Sequence, residues 1–466
     1  MENSKNINAL LRRVPKMDLI IAAGEYRELE KQYSVPEARY FARMVLDELR
    51  AAIKDGKAGL AEDSPEAGVI AALRRRLEWH HHRRKQHVIN ATGVIMHTGL
   101  GRAFLPREVR EVLSDCGGYC NVEVDLHSGD RNFREEYLAD LLCILTGAGA
   151  ATIVNNCAAA SLLIINTFAE GKDVIISRGE LVEIGGSFRV PDVMAKSQAK
   201  MIEVGTTNKT HLKDYESAIT ENTGLLLKVH TSNFSIEGFA RSVEREQLAA
   251  LGKKYRIPVA EDLGSGALFD PAGFGLQGEP LVVDSLRAGL DAICFSGDKL
   301  CGSAQAGIIL GNKDVVWNLR DNNMFRALRV DKLILAAMEA SIRRYLRADD
   351  PARAMAVGEM MAVAVGDLET RARCIADAVS AGSKHCHVEV IPTTAQPGSG
   401  ALPMQEMPSR GLAITSDKYS EDQLAAELRQ QQPPVFCRIQ EDRVIMDMRT
   451  IQAAEDPLVI IALLNL

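Results

Sequence analysis

Ala292-Ile293-Cys294-Phe295-Ser296-Gly297-Asp298-Lys299 decides the fold. The apolar half has the character of a buried strand, and the chain leaves it through Ser-Gly-Asp into a lysine. A lysine just past a buried strand can form a Schiff base with pyridoxal phosphate (PLP), provided that its pKa is depressed and an acid is supplied for the ring nitrogen. Such an acid lies 37 residues upstream, where Ile257-Pro258-Val259-Ala260-Glu261-Asp262 reads as a second strand ending in Asp262. A carboxylate there keeps the pyridine nitrogen protonated, which lets the ring accept electrons from a substrate carbanion. A lysine after a strand is ordinarily a solvated charge, so the paired acid carries the argument.

Further upstream, Ile153-Val154 runs into Asn155-Asn156-Cys157-Ala158-Ala159-Ala160-Ser161 and then an apolar helical pattern. Small residues there allow close backbone approach, and free N–H groups at a helix start face an anion, so Asn155, Asn156, Cys157 and Ala158 are candidates for the cofactor phosphate. A tight strand-to-helix turn with an Asn cap accounts for the same residues equally well. Neither a Walker loop nor a Gly-x-Gly-x-x-Gly after a strand is present, which argues against a nucleotide or dinucleotide enzyme.

The wider composition fits a globular enzyme. The chain has 466 residues, 46% hydrophobic and 25% charged, and a net charge of −7, so contact with nucleic acid has to use a local basic patch. Nine cysteines are scattered without a Cys-x-x-Cys pair, the pattern of free thiols in a reducing cytosol and not of a zinc site. The polar Met1 to Lys16 lacks an apolar leader, and no uninterrupted apolar run approaches about 18 residues; a cytoplasmic protein without membrane contact is expected.

Three portions follow. Residues 1–85 read as helices with a break near 56–68. Residues 86–345 alternate helical patterns with continuous apolar strands at 151–154, 173–177, 224–230, 258–262, 291–296 and 306–310, which predicts an α/β fold with a mainly parallel sheet covered on both faces. A long helix over 330–346 leads out. Residues 346–466 mix helices with a hairpin, 435–440 and 443–448 around Glu441-Asp442, and are expected to form a small α+β domain.

Several longer stretches carry a family resemblance: Val88 to Gly93, His97-Thr98-Gly99-Leu100-Gly101-Arg102-Ala103, Ser177 to Arg189, Val204-Gly205-Thr206-Thr207-Asn208, His230-Thr231-Ser232-Asn233-Phe234, Glu261 to Gly266 and Phe295 to Leu300. Together with Leu10 to Asp18 and Gly398 to Pro403, they resemble the bacterial selenocysteine synthases, the L-seryl-tRNA(Sec) selenium transferases, from about residue 8 to the end. The resemblance implies a fold-type-I PLP-dependent transferase, of the aspartate-aminotransferase type, that assembles as a ring of dimers (a homodecamer). Its N-terminal helical domain would bind tRNA. The implied reaction turns seryl-tRNA(Sec) into selenocysteinyl-tRNA(Sec) with selenophosphate, through an aminoacrylyl-tRNA.

In that reading Lys299 carries the cofactor and takes the serine Cα proton, and Asp298 assists hydroxyl departure or merely shapes a turn. Thr206, Thr207 and Asn233 lie after strands, where they could hydrogen-bond the serine moiety or form local turns. Arg326 and Arg329, three apart on one expected helix face, would join Arg102 on the donor oxyanion; a solvated face is the alternative. The chain departs from the family's usual Asn at Gly99 and Cys157 and from its usual Gly-Gly-Pro-Gln at Gly302-Ser303-Ala304-Gln305, and 129–137 lacks an expected histidine. These departures keep alive a PLP-dependent lyase paralogue for a small phosphorylated amino acid or amino-sugar acid. No metal is expected: His80-His81-His82 splay around a helix end in a basic segment, and His385 and His387 read as ordinary exposed or satisfied histidines.

Overall fold

The computed structural model describes residues 2–57, 64–184, 189–236, 238–398 and 400–466. Part of the expected break after residue 56, the Gly185 to Phe188 portion of one family-like stretch, and Ser399 lie outside these residues. The chain divides into two compact units, Met1–His87 and Val88–Leu466.

Among its described residues the first unit has five helices, Glu2–Arg13, Met17–Ala22, Gly24–Gln32, Val35–Lys54 and Pro65–His82. Ser34 and Ser64 cap the last two by accepting hydrogen bonds from the N–H groups of Glu37 and Ala67, each followed by a proline in the first turn. Ile20, Tyr26, Leu29, Leu46, Leu73 and Leu77 fill the core. The three histidines fall on the last turn of Pro65–His82: His81 pairs with Glu37 at 3.0 Å, and His80 meets the rings of Phe41, tilted, and of His81, edge-on.

The second unit is built on a seven-stranded sheet in the order Ala150–Val154, Gly307–Gly311, Ala292–Ser296, Val259–Gly264, Thr223–Val229, Asp173–Ser177, Lys200–Val204. All pairings are parallel except those of Gly307–Gly311, which runs against both neighbours. Alternate residues of each strand enter different cores: Ile175, Leu226, Ile293 and Ile308 pack in one, Val174, Leu225, Leu227 and Cys294 in the other. Burial on both faces explains why the central strands read as continuous apolar runs. The strand Lys200–Val204, absent from the expectation, lies at the sheet edge with Lys200 and Glu203 exposed, so it lacks that signature.

A second sheet pairs Arg438–Gln440, Arg443–Asp447, Met407–Ser416 and Cys386–Gly398, and its outer strand is Val94–Met96. The expected hairpin forms as Arg438–Gln440 against Arg443–Asp447, turning at Glu441 and Asp442 with φ of 50° and 56°. Val435–Phe436 leaves it to pair with Ile89–Asn90. Residues 89–96, read as the start of the central portion, therefore pair with C-terminal strands, Ile89–Asn90 in a separate two-stranded sheet and Val94–Met96 in the larger one, across more than 300 residues that local pattern does not bridge. The long helix runs Lys332–Arg347, capped by Asp331.

Candidate active site

The carboxyl ends of the parallel strands bring together Ser177, Gly205, His230, Asp262 and Ser296, and the site grows from there. Asp262 is its floor. Its carboxylate accepts hydrogen bonds from Ser161 Oγ at 2.5 Å, Cys157 Sγ at 3.3 Å and the Gly264 N–H at 3.0 Å. Burial nevertheless pushes its pKa above the ordinary carboxylate range. A desolvated carboxylate of this kind is matched by a cation such as a protonated pyridine nitrogen.

Asn156 caps the helix Cys157–Ala169, its side-chain oxygen accepting from the Ala159 N–H at 2.8 Å. The cap reading is therefore right for the Asn156 side chain. The phosphate reading survives in the backbone, because the N–H groups of Cys157 and Ala158 have no partner among the described residues. Asn155 donates its N–H to Leu328 O at 2.9 Å, tying the loop to the end of the distant helix Asn323–Leu328. Gly307 lets the neighbouring strand pass: a Cβ there would lie 2.1 Å from Asn156 O.

Lys299 is buried, 4% exposed, where the strand Ala292–Ser296 ends. Gly400, at φ of +87°, passes so close that a Cβ would sit 2.6 Å from Lys299 Nζ. The loop carrying it is strapped down. Glu279 accepts from the Leu402 N–H at 2.8 Å and from Ser265 Oγ, while Gln405 accepts from the Gln277 N–H at 2.8 Å and donates back to Gln277 O. Leu402 and Met404 take left-handed conformations at φ of 49° and 63° to complete that path.

Asp298 is held from outside. Arg102, itself at φ of 63°, donates through Nη1 to Asp298 Oδ2 at 2.9 Å, while Asp298 Oδ1 is buried without a partner among the described residues. The expectation for Arg326 and Arg329 needs correction in one respect. Their helix, Asn323–Leu328, ends before Arg329, so the two do not share a helix face. Arg329 lies 3.6 Å from Glu123, which also pairs with Arg131 and Arg134; Arg326 is exposed and makes no ion pair among the described residues. Both lie close in sequence to Leu328, whose carbonyl accepts the N–H of Asn155.

The expected serine-binding residues are exposed, and two of them are already hydrogen-bonded. Thr206 Oγ1 donates to Lys209 O at 3.0 Å, and Asn233 Nδ2 donates to Glu183 O at 2.7 Å. Thr207 lines a cavity of about 560 Å³ shared with His230, Glu261 and Glu279. His230 is the residue that sequence reasoning missed. It is half-buried, with its Nε2 out of solvent 3.6 Å from Glu279 and next to the Glu261–Arg245 pair at 2.7 Å, and desolvation lowers its pKa to about 4. Its position right after Thr223–Val229 was the available signal. Elsewhere, the Ser303 departure pairs its hydroxyl with that of Ser341 at 2.7 Å, and His387 pairs with Asp417 at 3.1 Å.

With this geometry the comparisons have a meaning. The family model of L-seryl-tRNA selenium transferase matches residues 88–452. The L-seryl-tRNA(Sec) selenium transferase of Geobacter metallireducens is 41% identical over 98% of this chain and 99% of its own length. That of Hyphomonas neptunium is 42% identical over 95% and 96%. The chain belongs to this family. The transferase has a fold-type-I PLP-enzyme architecture, and a solved D-glucosaminate-6-phosphate ammonia-lyase shares it with a TM-score of 0.57 at 17% identity, over 82% of the transferase and 95% of the lyase chain. At that identity the likeness concerns fold alone.

Proposed function

We infer that the chain converts seryl-tRNA(Sec) to selenocysteinyl-tRNA(Sec) with selenophosphate as donor, and that PLP sits between Lys299 and Asp262. The observation that carries the reading is the buried Lys299 sharing one pocket floor with a desolvated Asp262 beside unpartnered N–H groups of a helix start. These residues fit the cofactor: Lys299 would hold it covalently, Asp262 would face its ring nitrogen, and the Cys157 and Ala158 N–H groups would take its phosphate. Bound there, PLP supplies an electron sink for charge on the serine Cα. Full-length family matches favour this reaction over the small-molecule lyase.

The chain's own groups divide the remaining work. Lys299 Nζ, enclosed by Gly264 and Gly400, is placed to move the serine Cα proton in a site shielded from water. Asp298, oriented by Arg102, keeps one carboxylate oxygen uncommitted for the departing β-hydroxyl. Arg102, Arg326 and Arg329 bind the donor anion, Arg102 from beside the lysine and the other two from the phosphate-loop side. Thr206, Thr207 and Asn233 line the entrance and meet the serine ester.

Residues 1–85 dock the tRNA, with the run Arg74 to Arg76 and Arg83 to Lys85 providing phosphate contacts. Assembly is a ring of dimers, a homodecamer; the exposed Tyr119, Leu126, Phe133 and Ile144 support burial against a second subunit. The chain works in the cytoplasm, and no helix among the described residues is long and apolar enough to cross a membrane.

The test is a gel-shift titration. The full chain is expected to prefer seryl-tRNA(Sec) over an ordinary seryl-tRNA, with affinity falling steeply as salt rises. A chain starting at Gln86 should keep its cofactor absorbance and lose that preference. Equal, weak binding of both tRNAs by both proteins would overturn the assignment in favour of a small-molecule substrate.

A further inference from the structure

Two thiols on the pocket floor have no part in that chemistry. Cys157 opens the helix Cys157–Ala169, and Cys294 lies mid-strand in Ala292–Ser296, 1% exposed. Their sulfurs and a carboxylate oxygen of Asp262 lie within 4.8 Å of one another, the only such three-ligand group among the described residues. Ser161 Oγ is 3.5 Å from Cys294 Sγ and 2.5 Å from Asp262 Oδ2, so a fourth oxygen adjoins the cluster. Metal–sulfur bonds of about 2.3 Å and metal–oxygen bonds of about 2.0–2.2 Å place tetrahedral ligands roughly 3.5–3.8 Å apart. Cys157 Sγ and Asp262 Oδ1, at 3.3 Å, are already near that separation.

We propose that the cofactor-free pocket binds one thiophilic divalent cation of the zinc or cadmium kind through Cys157, Cys294 and Asp262, and that metal and PLP exclude each other. The inference rests on the PLP reading above, because exclusion follows from both ligands needing the Asp262 carboxylate. Sulfur selects a soft ion over magnesium or calcium. Binding sends the two thiol protons to solvent and leaves two thiolates and one carboxylate around the dication. The Cys157 contact and burial push the Cys294 thiol well up, and burial pushes Asp262 up as well, so binding draws on the charge of the dication to hold all three ligands ionised.

The experiment uses the full chain, loaded with PLP or stripped of it with hydroxylamine, titrated with cadmium while sulfur-to-cadmium charge-transfer absorbance is recorded. One cadmium per stripped chain is expected, and none at this site in the loaded protein. Cys157→Ser and Cys294→Ser should each abolish the band, whereas a Cys116→Ser, Cys120→Ser double variant, which removes the other neighbouring thiols, should keep it. Equimolar zinc should slow PLP reloading of the unaltered chain and not of Cys157→Ser. Equal bands in loaded and stripped protein, or a band lost only in the Cys116, Cys120 variant, would overturn the site. A chain that takes up no PLP but still gives the Cys157-dependent band would instead sink the cofactor reading and leave the metal site standing.

Discussion

The floor and the rim of the site are built differently. On the floor, Asp262 is held by donors from a helix and its own strand end, Lys299 by a glycine of the central sheet and one from the 400–405 loop, and Asp298 by an arginine from a loop almost 200 residues away. At the rim, Thr206 bonds three residues along its own chain, Arg326 pairs with nothing described, and both are exposed. Floor groups are thus fixed before any ligand arrives, whereas rim groups keep local bonds that a ligand can exchange. Substitutions on the floor should therefore disturb cofactor and fold, and those at the rim should disturb the substrate step alone.

The largest break is expected at Gly400. An Ala Cβ would meet Lys299 Nζ at 2.6 Å in a left-handed backbone, and the strain alone, about 1–2 kcal/mol, corresponds to roughly a tenfold loss. Gly400→Ala should therefore show at least about tenfold weaker PLP uptake by absorbance titration. Full uptake would mean that the 400–405 loop does not press on the lysine.

His230 tests the floor through pH. Its folded pKa of about 4 lies below the ordinary 6.5, so the unfolded chain binds the extra proton first and stability falls as pH drops from 6.5 towards 4. The full effect is about 3 kcal/mol, and buried Asp262 and Glu279, with raised pKa values, oppose it. Denaturant unfolding of the unaltered chain and of His230→Gln should therefore differ in acid slope, the variant being flatter. Parallel slopes would mean that His230 is solvated.

Rim predictions are smaller and more selective. Arg326→Ala should lower selenium transfer by about threefold to tenfold, the worth of one hydrogen bond made by an exposed charge, while cofactor absorbance and tRNA binding stay as they were. An unchanged transfer rate in both Arg326→Ala and Arg329→Ala would return these residues to a solvated surface.

The same contrast governs what the sequence discloses. Lys299 and Asp262 were legible because buried parallel strands leave continuous apolar runs, and a charge at the end of such a run is conspicuous. Asn156 showed both of its readings, and only geometry separated the capping side chain from the open backbone N–H groups. His230 escaped because nothing in its local pattern reports that Glu279 and Glu261 close around it from other parts of the chain. The edge strand Lys200–Val204 and the pairing of residues 89–96 with the C-terminal strands escaped for a related reason: the exposed charges Lys200 and Glu203 hide the first, and sequence distance the second. The helix face expected for Arg326 and Arg329 failed because the helix stops at Leu328.

The most direct test of the account follows radiolabelled selenium from selenophosphate onto seryl-tRNA(Sec), using the full chain and Lys299→Ala, after borohydride treatment of a parallel sample. The account predicts transfer by the unaltered chain, a reduced pyridoxyl label on the peptide containing Lys299, and transfer by the variant lower by about ten-thousandfold, the upper range for a lost acid–base group. A label on another lysine, or transfer that survives in Lys299→Ala, would contradict it.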